Sequence, residues 1–229
     1  MERGSKGAQL ADLNTHWIKD CDISLRETAT QPVPGDGNPD ADLMFIGEAP
    51  GKDEDLQGKP FVGAAGKFLN EMLGTVGITR SDVYITNVVK YRPPENRDPT
   101  PEEVAVSWPW LKEQIELIDP ALIILLGRHA LGRFFPDERI SEVHGKVLKR
   151  AVGDLGARHF YALYHPAAAL YNGSMRGVLI EDFKKIPKII EMIKVGTLTV
   201  AEKKVPKSKP EEKIQPIPPP EKRAQDHLF

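Results

Sequence analysis

The chain has 229 residues, of which 40% are hydrophobic and 28% are charged, and its formal net charge is -2. This length allows one core of ordinary domain size, together with an appendage or at most a second small domain. The sequence has no apolar run near the roughly 18 residues that span a membrane. Residues 1–9 are polar and lack a signal-peptide core, so we expect a cytoplasmic protein. The near balance of charge neither supports nor excludes a nucleic-acid partner, since such binding requires only a local basic surface.

Cys21 is the single cysteine of the chain. One thiol cannot form a disulfide within the chain, and it cannot supply the four thiolates of a zinc or iron-sulfur site. A disulfide within the chain is therefore excluded, and so is a four-thiolate metal site built from this chain alone.

Four short runs rich in Ile, Val, Leu, Phe and Tyr have the composition of central β-strands. These runs are residues 42–47, 83–90, 121–127 and 159–164. Helical patterns occupy residues 66–76, 128–135 and 175–194. A further helix is predicted to begin with Thr100 as its cap and Pro101 in its first turn, and Pro187 should interrupt or kink the last one.

Strands that alternate with helices indicate an α/β fold. We expect a three-layer α/β/α sandwich with a central, mostly parallel four-stranded sheet, in one domain of residues 1–195. Residues 201–229 contain six prolines and alternating Lys and Glu, with little apolar surface to bury. Residues 196–229 are therefore predicted to be a disordered tail. In open α/β sheets of the kind predicted for residues 1–195, ligands bind at the carboxyl ends of the strands.

Three segments follow predicted strands and carry polar chemistry. Residues 47–55, GEAPGKDED, combine glycines that allow close backbone approach with acids that can position water. Asn87 ends the second strand, and its amide offers the donor and acceptor that are needed to read a base edge. His165 precedes a proline, which disfavours helix and places the imidazole in a loop. Taken singly, the first two are more often turn residues and a lone histidine is more often packing or surface.

Together, in this order and at these strand ends, the segments resemble the uracil-DNA glycosylase superfamily, and within it the thermostable, iron-sulfur-containing class known as family 4. Residues 47–55 are similar to the family's first motif and residues 165–170, HPAAAL, to its second. Residues 60–66, PFVGAAG, and 86–90, TNVVK, also follow the family pattern. The similarity extends from about residue 25 to residue 193, most of the globular part.

The resemblance implies an enzyme that flips deoxyuridine out of DNA and hydrolyses its N-glycosidic bond, leaving an abasic site. Phe61 matches the aromatic residue on which the flipped base stacks. Asn87 would read the uracil edge, and Gly47 and Ala49 would line the same pocket. His165 would stabilise negative charge on O2 of the leaving uracil by donating a hydrogen bond.

Water activation is less defined, because Ala49 stands where the best-known glycosylase class carries an aspartate. Glu48 is the first candidate to orient water and favour the oxocarbenium-like sugar, and Glu54 is the second. Either carboxylate can instead brace the loop.

The resemblance also implies contacts to DNA, because the superfamily loop that corresponds to the segment after His165 enters the minor groove. Leu170, Tyr171, Met175 or Arg176 would enter the minor groove as a wedge, although each is equally compatible with an ordinary helix-initiating loop. Candidate phosphate contacts are Lys90, Arg92, Arg97, Lys146, Lys149 and Arg150, although scattered basic residues are usually solvated surface.

One feature departs from family 4, whose members hold a four-iron four-sulfur cluster with four cysteines. The matching positions here are Asp20, Ile23, Tyr91 and Ser107, and none is a thiolate. Cys21 lies beside the first position, yet one ligand cannot hold such a cluster. We therefore predict that this chain has no iron-sulfur cofactor. The expected packing residues in its place are Ile23, Tyr91, Trp108 and Trp110.

The end of the chain suggests a second partner. Gln225, Leu228 and Phe229 resemble a shortened sliding-clamp-binding peptide, and a plain disordered terminus is the alternative. From the family resemblance we expect a prokaryotic, DNA-associated monomer whose substrate is uracil-containing DNA. Two alternatives remain at this point: a glycosylase for another deaminated base such as hypoxanthine or xanthine, and a catalytically inactive relative that binds DNA.

Overall fold

The computed structural model describes residues 4–203 of the chain. Within this range one six-stranded sheet forms the centre of the fold, with the strand order β1-β3-β2-β4-β6-β5. The strands are β1 (Asp36–Gly37), β2 (Leu43–Gly47), β3 (Tyr84–Asn87), β4 (Leu122–Leu126), β5 (Val147–Ala151) and β6 (Ala157–Leu163). The four inner strands are parallel to one another, and β1 and β5 are antiparallel to their neighbours at the two edges.

Helices cover both faces of this sheet. They are α1 (Lys6–Asp20), α2 (Lys52–Gln57), α3 (Ala64–Thr75), α4 (Pro101–Ile118), α5 (Gly127–Phe134), α6 (Ile140–Val143), α7 (Ala168–Tyr171), α8 (Gly173–Phe183) and α9 (Ile186–Lys194). Across residues 4–203, no helix has both the length and the apolar character needed to cross a membrane.

The predicted three-layer α/β/α architecture is confirmed, but the predicted strand number is too low. The four expected strands form the inner, parallel part of the sheet, and β1 and β5 were missed. An edge strand has one neighbour and one solvated side, so it does not require an apolar run. β1 is only two residues long, and β5 includes the charged residues Lys149 and Arg150.

Two apolar clusters, one on each face, show why the strands read as continuous apolar runs. Alternate residues of β2 contribute to opposite faces: Met44 belongs to one cluster and Phe45 to the other. The first cluster includes Trp110 of α4, and the second includes Phe68 of α3 and Phe183 of α8. Burial on both faces selects apolar side chains at every strand position.

Two helix boundaries follow the predicted chemistry. Thr100 caps α4: its Oγ1 accepts from the backbone N–H of Glu103 at 3.3 Å, and the Glu103 carboxylate accepts from the Thr100 N–H at 2.8 Å. The predicted helix over residues 175–194 divides into α8 and α9. Pro187 lies in the first turn of α9, where its missing N–H has no helical partner to lose.

The predicted boundary at residue 195 and the predicted tail remain expectations. Lys203, near the end of the described range, donates its backbone N–H to the Lys149 carbonyl of β5 at 2.8 Å. The clamp-like residues Gln225, Leu228 and Phe229 lie outside the described residues.

Candidate functional site

A cavity of about 360 Å³ opens at the carboxyl ends of the parallel strands. The loops after β2, β3 and β6 form its walls, in agreement with the general position of ligand sites in open α/β sheets. Six residues predicted from the sequence line it: Glu48, Ala49, Glu54, Phe61, Asn87 and His165. The structure thus brings together segments that are more than 100 residues apart in the chain.

Gly47 lies beneath this cavity as the last residue of β2, paired with Asn87 of β3. A Cβ atom at Gly47 would come within 2.4 Å of Asn87 Oδ1 and 2.7 Å of Phe61 Cζ. Only glycine therefore allows the asparagine amide and the phenyl ring to approach the same strand end.

Asn87 has an unsatisfied acceptor at the cavity. Its side chain is buried, with the residue 1% exposed, and Oδ1 has no hydrogen-bond partner among the described residues. A buried polar atom without a partner costs free energy, and native structures seldom contain one without a reason. This oxygen is therefore placed to accept a hydrogen bond from a ligand.

Phe61 provides an aromatic surface from a strained backbone position. Its φ is 52°, in the left-handed region that residues other than glycine seldom adopt. Arg80 Nη1 holds the Phe61 carbonyl at 3.1 Å. The ring centroid lies 5.6 Å from that of His165 at an interplanar angle of 33°, so the two rings flank the same space.

His165 is a neutral imidazole with a defined proton position. The backbone N–H of Ala167 donates to its Nδ1 at 3.2 Å, which leaves the ring proton on Nε2. Burial lowers the pKa of His165 to about 4, so the ring stays uncharged at neutral pH. Gly127, with a φ of 89°, permits the close approach, since a Cβ there would be 3.0 Å from His165 Cβ.

Glu54 braces the loop that carries Phe61. Its Oε1 accepts from the backbone N–H groups of Val62 at 2.9 Å and Gly63 at 2.8 Å, and its Oε2 accepts from that of Gly51 at 3.1 Å. Three backbone donors occupy much of the acceptor capacity of this carboxylate. This geometry favours the bracing role that the sequence left open.

Glu48 has a different environment, in which its charge is costly. Burial, and after it the nearby Asp98 carboxylate, raise the pKa of Glu48 to about 7. Its Oε2 lies 3.6 Å from His129 Nε2, which is 3.3 Å from Asp98 Oδ2. A carboxyl that titrates near neutral pH at a cavity wall has the properties of a general base.

Asp98 and His129 were not predicted from the sequence, because nothing in their local pattern connects them to Glu48. Ligand atoms of these three residues lie within 4.8 Å of one another and have the chemistry of a metal-binding group. Arg128 already supplies positive charge there: it donates to Asp98 Oδ2 at 3.2 Å and to His129 Nε2 at 2.8 Å. Arg128 thus offsets part of the negative charge of this cluster.

Two predicted phosphate contacts are wrong. Lys90 is 0% exposed, and Arg150 is buried with its guanidinium donating to the Phe134 carbonyl. Arg97 is exposed but forms a two-bond ion pair with Glu103, at 2.9 Å and 2.6 Å. The sequence pattern does not show which basic side chains find partners within the fold, so these residues resemble solvated surface charge.

The predicted wedge residues lie on and after α7, at the rim beyond His165. Tyr171 is 90% exposed and Leu170 is 46% exposed, so two adjacent large side chains reach solvent at this rim. Arg176 is less free, because its guanidinium lies 4.6 Å above the Phe68 ring and pairs with Glu71.

The four positions that correspond to cluster cysteines contain no set of iron ligands. Ile23, Tyr91 and Ser107 are all less than 5% exposed, and Ile23 has no donor atom at all. Ile23 and Tyr91 belong to the same apolar cluster as Trp110, which is fully buried. A four-thiolate iron-sulfur group therefore does not fit these residues.

The comparisons with known proteins agree with this arrangement. A family model described as Uracil DNA glycosylase superfamily matches residues 34–191. The type-4 uracil-DNA glycosylase of Archaeoglobus fulgidus is 51% identical over 175 residues, covering 74% of this chain and 86% of that protein. The type-4 enzyme of Saccharolobus solfataricus is 48% identical over 186 residues, covering 78% and 86%. That of Sulfurisphaera tokodaii is 47% identical over 173 residues, covering 72% and 77%. The chain belongs to the uracil-DNA glycosylase superfamily.

Proposed function

We propose that this protein is a uracil-DNA glycosylase of base excision repair, which hydrolyses the N-glycosidic bond of deoxyuridine and leaves an abasic site. The observation that carries the proposal is the cavity in which the unsatisfied Asn87 Oδ1, the Phe61 ring and the neutral His165 meet. The type-4 uracil-DNA glycosylases at 47–51% identity support the same substrate.

Asn87 explains how uracil is distinguished from cytosine. Uracil presents an N3–H donor beside the O4 acceptor, and the free Oδ1 of Asn87 accepts from that donor. Cytosine has a bare N3 and an amino group instead, so its N3 lone pair would face the same oxygen. A buried acceptor left facing a lone pair discriminates strongly between otherwise similar ligands.

His165 assists the departure of the base. As the bond to the sugar breaks, negative charge develops on O2 of uracil, and the Nε2–H of His165 donates to it. A donor fixed in a partly desolvated site stabilises such charge without reorganisation. The imidazole needs no charge of its own for this role.

Glu48 is the group that we assign to the attacking water. In its ionised form the carboxylate orients water toward C1′ and favours the positive charge that develops on the sugar. Glu54, held by three backbone amides, fixes the loop between Gly51 and Gly63 and keeps Phe61 in place.

Incubation with oligonucleotides that carry uracil, hypoxanthine, xanthine or thymine opposite guanine tests the activity. Alkali-labile strand breaks at uracil, lost in Asn87→Ala and His165→Ala, are the expected result. Preference for hypoxanthine or xanthine would support the alternative substrate class. Binding of DNA without cleavage of any of these substrates would support the inactive relative and refute the proposal.

A further part of the proposal concerns cofactor and partners. The protein acts as a monomer without an iron-sulfur cluster, and Gln225, Leu228 and Phe229 attach it to a sliding clamp. The support for the clamp is the spacing of one glutamine and two apolar residues three and four positions later. Equal capture of clamp by the full chain and by a chain without residues 225–229 would refute this attachment.

A further inference from the structure

A buried polar network lies directly behind the residue that reads the base. Lys90 Nζ, at its centre, donates to the Asn87 backbone carbonyl at 2.7 Å, to Thr86 Oγ1 at 2.6 Å and to Gln114 Oε1 at 2.8 Å. Lys90 is 0% exposed, and these partners include no carboxylate. A lysine in such a place is costly, because burial disfavours its charged form.

The network supplies one acceptor for each hydrogen that Lys90 can donate. An ammonium group has three hydrogens, which match the three acceptors. The Thr86 hydroxyl accepts from Lys90 and donates its own proton to the Pro34 carbonyl at 2.8 Å. Lys90 is therefore a donor to each of its three partners, and one of these bonds goes to the Asn87 carbonyl.

Other bonds fix the same short segment from outside. The backbone carbonyl of Lys90 accepts from the Val33 N–H at 2.7 Å, and the Val89 N–H donates to the Glu48 carbonyl at 3.1 Å. Gln114 is in turn held by donating to Asn14 Oδ1 and to the Pro34 carbonyl, each at 2.9 Å. The chain just after Asn87 is therefore anchored to α1, α4 and the loop after β2.

We propose that Lys90 is a positioning residue for base recognition, which fixes the Asn87 backbone and thereby the direction in which the Asn87 amide enters the cavity. This inference rests on the proposed reading of uracil by Asn87. A buried lysine with no such role would be replaceable by an apolar side chain at little cost in specificity, since apolar replacement of buried polar groups is often tolerated. The contact of Lys90 with the Asn87 carbonyl explains why a lysine, and not an apolar residue, occupies this buried position.

A double-mutant cycle tests whether Lys90 acts through Asn87. Lys90→Met keeps an unbranched side chain that is one atom shorter, and it removes the donors. In the wild-type background we expect the single-turnover rate on uracil-containing DNA to fall about 100-fold, the loss typical of a misplaced recognition group. In the Asn87→Ala background the same change should cost less than about threefold, because coupled residues are not additive. Equal losses in both backgrounds, or no loss in either, would overturn the inference.

Tyr84→Phe is the matched control, because Gln114 Nε2 also bonds the Tyr84 hydroxyl, at 3.3 Å, and this bond does not involve Asn87. We expect its rate to stay within about twofold of wild type at a temperature where circular dichroism shows all variants folded. In NMR spectra, free uracil should shift the Asn87 side-chain amide in wild type and Tyr84→Phe but not in Lys90→Met. An unchanged response in Lys90→Met would overturn the role of Lys90, whereas a wild type that leaves uracil-containing DNA intact would refute the proposed function instead.

Discussion

The backbone N–H of Ala167 donates to Nδ1 of His165 at 3.2 Å, and this bond assigns the ring proton to Nε2. The turn that contains Pro166 brings this N–H to the ring, so the motif His-Pro-Ala sets the tautomer of its own histidine. A short local segment thus defines which nitrogen donates to a ligand.

Substitution of His165 tests this tautomer. The amide nitrogen of glutamine can occupy the place of Nε2, whereas that of asparagine reaches only the place of Nδ1. We expect His165→Ala to lower kcat by about 100- to 1,000-fold, as for other donors to developing negative charge. His165→Gln should retain at least about tenfold more activity than His165→Asn. The opposite order of these two variants would show that Nδ1 is the donor.

The pH dependence of the rate reports on Glu48. Its pKa is raised to about 7, and its proposed role requires the ionised form, so the rate should rise with pH and level off above about 7. His165, with its pKa lowered to about 4, adds no change in this range. Glu48→Gln should abolish the dependence and lower the rate by about 100- to 10,000-fold.

Asp98→Asn tests the origin of that raised pKa. The negative charge of Asp98 disfavours ionisation of Glu48, so its removal lowers the pKa and should move the rise in rate to lower pH. A pH profile that is identical in wild type and Asp98→Asn would contradict the coupling of the two carboxyl groups. Thermal unfolding of both proteins serves as the control for folding.

Gly47→Ala tests the close packing beneath the cavity. The added Cβ would meet Asn87 Oδ1 at 2.4 Å and the Phe61 ring at 2.7 Å, and either displacement misplaces a recognition group. We expect at least about 100-fold loss of activity and a destabilisation of about 1–3 kcal/mol. Gly74→Ala in α3 is the control, since its Cβ meets no atom within 4 Å. It should keep full activity and stabilise the helix by about 0.5–1 kcal/mol.

The exposed rim after His165 should act only on duplex DNA. Tyr171 is 90% exposed, so Tyr171→Ala removes little packing and should leave the melting temperature unchanged. If Leu170 or Tyr171 props the duplex open, its change to alanine should slow uracil removal from double-stranded DNA by about tenfold or more. Rates on single-stranded DNA should remain the same. An equal loss on both substrates would place these side chains in base recognition instead.

Iron analysis tests the absence of a cluster. The buried Ile23, Tyr91 and Ser107 supply no thiolates, so protein purified under anaerobic conditions should be colourless and contain no iron above a buffer blank. Cys21→Ser should change neither property. Stoichiometric iron in the wild type would mean that ligands come from outside this chain.

The sequence alone determined the layered α/β fold, the four inner strands and the three loops that meet at the cavity. These features depend on local patterns: a strand buried on both faces must be apolar throughout, and a polar residue at its end is conspicuous. The cysteine count likewise excluded a four-thiolate site without any structure. Thr100 and Pro101 marked a helix start because capping is satisfied within one turn.

Only the tertiary structure decided how the charged residues are used. Glu48 and Glu54 are six positions apart, yet one titrates near pH 7 and the other is held by three backbone amides. Lys90 reads as a surface residue and is buried behind Asn87. Such differences depend on desolvation and on hydrogen-bond partners supplied by distant segments, such as Gln114 for Lys90 and Asp98 for Glu48. Sequence patterns record which side chains must be inside, whereas the partners that make a buried charge tolerable or a carboxylate basic exist only after the chain has folded.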